Sequence, residues 1–208
     1  MKFDSIIFDL DGTLWDSVSS VRDSWNETLK KYPQISKTLT AKDIQSIMGL
    51  VVEELSQKLF GEAGADLALE IGIRCCAEEN EYIRRNGAFI YPGLRETLIQ
   101  LQKQCTLYIV SNCQQGYIES FFAVSGLQDY FADYECSGAT GLRKDGNIQL
   151  IVERNGLRNP VYVGDTQGDY DAARKAGISF LWASYGFGNV KEPVDFIKNI
   201  CELPGHIM

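Results

Sequence analysis

Apolar and polar positions along the chain follow two rhythms. Short runs rich in β-branched and aromatic residues occur at 5–10, 106–110, 134–136, 161–163 and 180–183. Between them the spacing becomes helical. Leu94, Leu98 and Leu101 share one face of a helix that opens after Pro92-Gly93, and Ile148, Leu150, Ile151 and Val152 start another that Asn155-Gly156 closes. Ala172, Ala173 and Ala176 mark a third. Strands that alternate with helices of about 10–15 residues make βαβ units, so the pattern predicts an α/β chain built on a parallel sheet.

Residues 16–87 break this rhythm. They contain no convincing strand, and Val18, Val21, Trp25, Leu29 and Tyr32 form one apolar helical stripe. Further helical patterns cover 41–48, 51–60 and 65–85, punctuated by Gly49, Gly61 and Gly64. The expected organisation is a core formed by 1–15 and 88–208, with 16–87 inserted as a helical cap. No internal repeat or low-complexity segment interrupts it.

Composition narrows the function classes. The 208 residues carry 20 Lys plus Arg against 28 Asp plus Glu, a formal net charge of −8, which argues against nucleic acid as the main partner. A hydrophobic content of 45% with 23% charged residues fits a globular chain. The longest apolar runs are strand-sized, well short of the roughly 20 residues of a membrane-spanning helix. The opening Met-Lys-Phe-Asp-Ser has an acid where a signal peptide would carry its apolar core, so a cytoplasmic location is expected. Cysteines 75, 76, 105, 113, 136 and 201 show no CxxC spacing, as expected of reduced thiols. The single histidine, His206, lies two residues from the end of the sequence. Zinc held by Cys and His, or a mechanism centred on a histidine base, is therefore not expected.

Candidate chemistry gathers where strands end. Asp9 and Asp11 follow the first run in Phe8-Asp9-Leu10-Asp11-Gly12-Thr13. On an extended strand, residues two apart point the same way, and two carboxylates that close need a shared proton or a cation. A hard divalent ion such as Mg²⁺ resolves the conflict, although an Asp-Gly turn with solvated acids has the same sequence. Ser111-Asn112 follows the second run and offers a hydroxyl and an amide to an anion. Lys144 comes after Gly141-Leu142 and offers a point positive charge. Asp165 and Asp169 follow the fourth run in Gly164-Asp165-Thr166-Gln167-Gly168-Asp169, where helix capping explains Asp169 equally well. All four clusters follow strands, and open α/β sheets bind ligands beyond the carboxyl ends of their strands.

In this order and spacing, Asp9-Leu10-Asp11-Gly12-Thr13, Ser111-Asn112, Lys144 and Gly164-Asp165 with Asp169 resemble the four motifs of the haloacid dehalogenase superfamily. The resemblance spans nearly the whole chain. Its helical insertion after the first motif is similar to the cap of the phosphoglycolate phosphatase and β-phosphoglucomutase branch, as are Asp16-Ser17 and Asn26. It implies a Rossmann-like parallel core and a Mg²⁺-dependent phosphatase of small phosphorylated metabolites. By this resemblance Asp9 is the nucleophile that forms an aspartyl-phosphate, and Asp11 the acid and base for leaving group and water. Ser111, Asn112 and Lys144 hold the phosphoryl oxygens. Asp9, the Asp11 main-chain carbonyl and Asp165 bind Mg²⁺, with Asp169 supporting them.

Two features depart from the family pattern. The third motif is commonly Lys-Pro-x-Pro, whereas this chain has Arg143-Lys144-Asp145-Gly146-Asn147, so Arg143 competes with Lys144 for the role. The cap has Met48-Gly49-Leu50-Val51-Val52 where the sugar-phosphate mutases carry a histidine and a Gly-x-Ser-Arg-type segment, which speaks against mutase activity. A β-phosphoglucomutase-like transferase and a catalytically silent binding protein remain alternatives. Asp11 argues against a dehalogenase proper. Arg22, Lys42 and Arg74 are the cap cations available to a substrate, or simply part of an exposed face.

Overall fold

The computed structural model describes residues 3–207. Strand β1 (Ser5–Phe8) is followed by a two-residue strand, β2 (Trp15–Asp16). Four helices come next: α1 (Val18–Leu29), α2 (Ala41–Gln45), α3 (Val52–Phe60) and α4 (Ala65–Asn86), then β3 (Phe89–Ile90). The remainder runs α5 (Leu94–Leu101), β4 (Thr106–Ser111), α6 (Tyr117–Ser125), β5 (Asp133–Cys136), α7 (Ser137–Thr140) and α8 (Lys144–Asn155). It ends with β6 (Pro160–Gly164), α9 (Gln167–Ala176), β7 (Ser179–Ala183), β8 (Phe196–Ile197) and α10 (Leu203–Ile207).

Six strands form one parallel sheet in the order β5-β4-β1-β6-β7-β8, the expected α/β architecture. The central strand is apolar from Ile6 to Phe8 because both of its faces are covered. Ile6 and Phe8 join the larger core cluster and Ile7 the one made with Ile148, Ile151, Ala172 and Ala173 of α8 and α9. Register then sets the chemistry. Phe8 lies beside Ile109 on one side and Val163 on the other, so the residues after β1, β4 and β6 emerge at one edge.

The helical segment between β2 and β3 packs mainly on itself, with α4 against α1 and α3. The stripe Val18, Val21, Trp25 and Leu29 is buried as its spacing predicts. Helix α4 has 22 residues, or about 33 Å at 1.5 Å per residue, and continues from this segment onto α6. Asp66 in its first turn and Arg84-Arg85 in its last complement the helix dipole. The two chain crossings lie side by side, since β2 and β3 pair antiparallel with Trp15 opposite Ile90. Among the described residues no helix is long and apolar enough to cross a membrane. All six cysteines are free.

The structure departs from the sequence pattern in several places. Strand β1 ends at Phe8 rather than at residue 10, because the chain turns: the Leu14 amide donates to the Leu10 carbonyl at 2.9 Å. Gly12 at φ +79° permits that turn. Helix α8 begins at Lys144, about three residues earlier than expected. The strands β2, β3 and β8 are two residues each, too short to show alternation, and α6 also lies outside the elements read from the pattern.

Phe121 of α6 anchors the crossing. Its ring meets Trp15 edge-on at 5.1 Å between centroids, and both are fully buried. Phe121→Ala is expected to cost about 3–5 kcal/mol, measured by urea unfolding. A cost below about 1 kcal/mol would show that the site refills easily.

Candidate active site

Asp9, Asp11, Ser111 and Asn112 line one small cavity of about 50 Å³ beyond the sheet edge, between the strand ends and the helical segment. The Asp9 amide still donates to Val163 O at 2.8 Å, which fixes the first acid against β6. Asp11 lies within the turn, and its carboxylate faces Ser17 and Tyr117. Ser17 Oγ and Tyr117 Oη both donate to Asp11 Oδ1, at 2.5 and 2.9 Å. Burial pushes Asp11 up to about 6, with Ser17 and Tyr117 pulling it back.

Arg143 and Lys144 point in different directions. Lys144 is buried at the first position of α8, where its ammonium donates to Asp9 Oδ1 at 2.9 Å and also to Asp169 Oδ1. Arg143 points outward and pairs with Glu54 of α3 at 2.8 Å. Burial works against the Lys144 ammonium, but Asp169 and Asp9 outweigh it and hold its pKa well above the ordinary value. Burial, then Asp169, pushes Asp9 up to about 7 against the pull of Lys144.

Asp169 does two things at once. Its Oδ2 accepts from Thr166 N and Oγ1 and from Asp165 N, closing a capping box at the start of α9, while its Oδ1 takes Lys144. Asp165 Oδ2 accepts from Phe187 N at 2.6 Å and Gly188 N at 3.3 Å. Its Oδ1 is buried with no hydrogen-bond partner among the described residues. Burial, Asp169 and Asp9 push Asp165 well above the usual carboxylate range. Carboxylate oxygens of Asp9, Asp165 and Asp169 lie within 4.8 Å of one another. Three acids that close, one with an orphaned oxygen, suit a hard divalent cation. The Asp11 carboxylate is outside this cluster.

Space around these acids is closed by backbone. A Cβ on Gly12 would collide with the Asp165 carboxylate, and one on Gly186 with both Asp165 and the Gly12 carbonyl.

A sequence model of haloacid dehalogenase-like hydrolases matches residues 6–183. The chain belongs to the haloacid dehalogenase-like hydrolases. It is 26% identical over 204 residues to a phosphoglycolate phosphatase from Vibrio parahaemolyticus, covering 91% of this chain and 86% of that one. It is 28% identical over 200 residues to a phosphoglycolate phosphatase from Rhodobacter capsulatus, covering 94% and 90%. The fold of this haloacid dehalogenase-like enzyme matches that of a haloacid dehalogenase-like family hydrolase from Streptococcus pneumoniae. The TM-score is 0.83 at 22% identity over 100% of this chain and 99% of the other.

Sequence reasoning missed three residues of the site: Tyr117, Gln114 and Glu79. Tyr117 and Gln114 sit after β4 with no local signal. Glu79 did leave one, since Ile71, Cys75, Glu79 and Ile83 of α4 are four residues apart and all buried. An acid in the middle of an apolar stripe marks a place where packing alone is not the purpose. Of the cations expected to meet a substrate, Arg22 pairs with Asp23 and Arg74 with Glu78. Arg22, Lys42 and Arg74 do not line the cavity.

Proposed function

We propose that this hydrolase is a Mg²⁺-dependent phosphatase of small phosphorylated metabolites, phosphoglycolate phosphatase-like, acting through an aspartyl-phosphate on Asp9. The observation that carries the reading is the buried Asp9–Asp165–Asp169 cluster, with an unpartnered Asp165 oxygen, bound on its other side by Lys144. Asp9, Asp165 and the Asp11 main-chain carbonyl would hold Mg²⁺, with Asp169 fixing Lys144 and the Asp165 loop behind them. The ion would neutralise charge on the transferring phosphoryl group.

In the first step an Asp9 oxygen attacks phosphorus, the bond to the ester oxygen breaks, and Asp11 gives that oxygen its proton. In the second step Asp11 takes a proton from water, whose oxygen attacks phosphorus and frees Asp9 and inorganic phosphate. Ser111, Asn112 and Lys144 bind the phosphoryl oxygens. Ser17 and Tyr117 hold the Asp11 carboxyl, and a raised pKa suits a group that must carry and then recover a proton near neutrality. Residues 16–87 act as a cap over the core of 1–15 and 88–208. The Asn112 side chain ties the two by donating to Gly49 O at 2.8 Å. Such a cover excludes water and favours small metabolites over phosphoproteins. Free cysteines and the absence of a membrane-crossing helix among the described residues support a cytoplasmic setting.

Asp11→Asn tests the acid role. Aryl phosphates have good leaving groups and need no proton, so in the variant the rate of aspartyl-phosphate formation, read in single turnover, is expected to fall about 10²-fold or more with an alkyl phosphate and far less with an aryl one. Equal losses on both substrates would remove Asp11 from leaving-group protonation.

A further inference from the structure

Two thiols meet beside Ser111 and Asn112. Cys136 ends β5, where it is the register partner of Ser111 at the end of β4. Cys113 lies two residues past Ser111, and its carbonyl accepts from Gly138 N at 3.0 Å. The two chains thus stay paired beyond the sheet, with the cysteines on a diagonal. They are also tightly packed there, since a Cβ on Gly138 would collide with the backbone of Gln114 and Gln115. Cys136 Sγ lies 3.8 Å from Gln114 O, and the Cys113 thiol donates a hydrogen bond to it.

The pair is uneven. Beside the small cavity lies a larger one of about 760 Å³, and the two share Asn112, Cys113 and Gln114. Cys113 is half-buried and lines both, whereas Cys136 is buried and lines neither. The Cys113 S–H holds the Cys136 thiol below its ordinary range against burial. Burial, then Cys136, pushes Cys113 well up. One sulfur is therefore reachable from the cavity, and the other stands next to it as a proton acceptor.

We infer that Cys113 and Cys136 form an oxidisable dithiol that takes a hydroperoxide, closes to a disulfide and weakens substrate binding at Ser111 and Asn112. The peroxide enters through the larger cavity. The Cys113 sulfur attacks the peroxide hydroxyl oxygen, the O–O bond breaks, and the Cys113 proton passes by way of Cys136 to the departing oxygen, which leaves as alcohol or water. The Cys136 sulfur then attacks the Cys113 sulfenic acid, the S–S bond forms, and the hydroxyl leaves as water. Two thiols lose two electrons and two protons, and the peroxide gains them. A covalent bond in place of the hydrogen bond draws the loop after β4 toward β5. Asn112 stands in that loop, accepting from Ser137 Oγ and donating to Gly49 O, both at 2.8 Å, so the pull reaches the site and its tie to the helical segment. The cross-link itself is independent of the phosphatase reading, and its effect on rate rests on that reading.

The test treats the purified full-length chain with hydrogen peroxide and reads it by peptide mass spectrometry beside hydrolysis of an aryl phosphate with Mg²⁺. A Cys113–Cys136 cross-link is expected, with kcat/KM lowered about tenfold or more, chiefly through KM, and restored by dithiothreitol. Cys113→Ser and Cys136→Ser should each keep untreated activity within about twofold and lose the reversible response. No cross-link, a cross-link from Cys113 to Cys76 instead, or a Cys113–Cys136 cross-link that leaves kcat/KM unchanged overturns the inference. So does a reversible response kept by either folded serine variant. Should both variants fail to fold, the wild-type cross-link and its reversal decide alone. Failure of untreated wild type to hydrolyse the aryl phosphate would overturn the phosphatase reading instead, while the cross-link still tests the pair.

Discussion

Asp9→Asn is expected to lower turnover of every phosphate ester by about 10⁴-fold or more, the scale on which loss of a covalent nucleophile acts. An amide matches the carboxylate in shape but is not a nucleophile toward phosphorus. The fold should survive, because Lys144 keeps Asp169 and the variant amide oxygen can still accept from it. Stability in chelator is expected to rise. Burial, then Asp169, pushes Asp9 in the folded apo chain up to about 7 from an ordinary value of 3.8, so its ionised form is disfavoured by folding. The wild-type chain therefore loses stability as pH climbs between those values, and the variant is spared the part of that loss due to Asp9. The gain in Tm over wild type should grow from pH 5 to pH 8. Retention of more than about a hundredth of wild-type activity would remove Asp9 from the nucleophile's role.

Removal of the metal is expected to be almost as severe. EDTA should abolish activity, Mg²⁺ should restore it, and Ca²⁺ should restore it poorly because it takes more and looser ligands. Two of the clustered carboxylates at 4.8 Å repel by about 3 kcal/mol at an effective dielectric of 20, and one ammonium cannot offset three acids. A stability readout separates binding from catalysis. At about a hundred times its dissociation constant Mg²⁺ adds about 2.7 kcal/mol, a rise in Tm of roughly 5–10 °C for a chain this long. Asp165→Asn should raise the Tm of the apo chain and abolish the Mg²⁺-dependent rise. Full activity in chelator, or an unaltered Mg²⁺ response in Asp165→Asn, would rule out the site as drawn.

What was legible in the sequence was local. The apolar run before Asp9 dictates a strand covered on both faces, and strand ends in a parallel sheet dictate where Asp9, Ser111 and Asp165 emerge. What was hidden depended on rotation or distance. Arg143 and Lys144 are neighbours at the start of one helix, and a step of about 100° turns one into the core and the other to solvent. Strand alternation suggested that Asp9 and Asp11 project together. Both do line one cavity, but the turn at Gly12 aims the Asp11 carboxylate at Ser17 and Tyr117, away from the Asp9 cluster. Glu79 and Gln114 are 35 residues apart and meet only once α4 lies across the loop after β4.

The two glycines against Asp165 bear on how substitutions across the chain would be tolerated. Neither Gly12 nor Gly186 has a functional group, yet alanine at either would drive a methyl into the carboxylate or its neighbours. In a saturation scan scored by turnover, both positions should reject every side chain, as harshly as Asp9 rejects asparagine. A ranking of residues by lost activity would then place walls beside machinery. Binding of Mg²⁺ by each variant tells them apart: a displaced Asp165 loses the ion, whereas a missing proton donor leaves it bound.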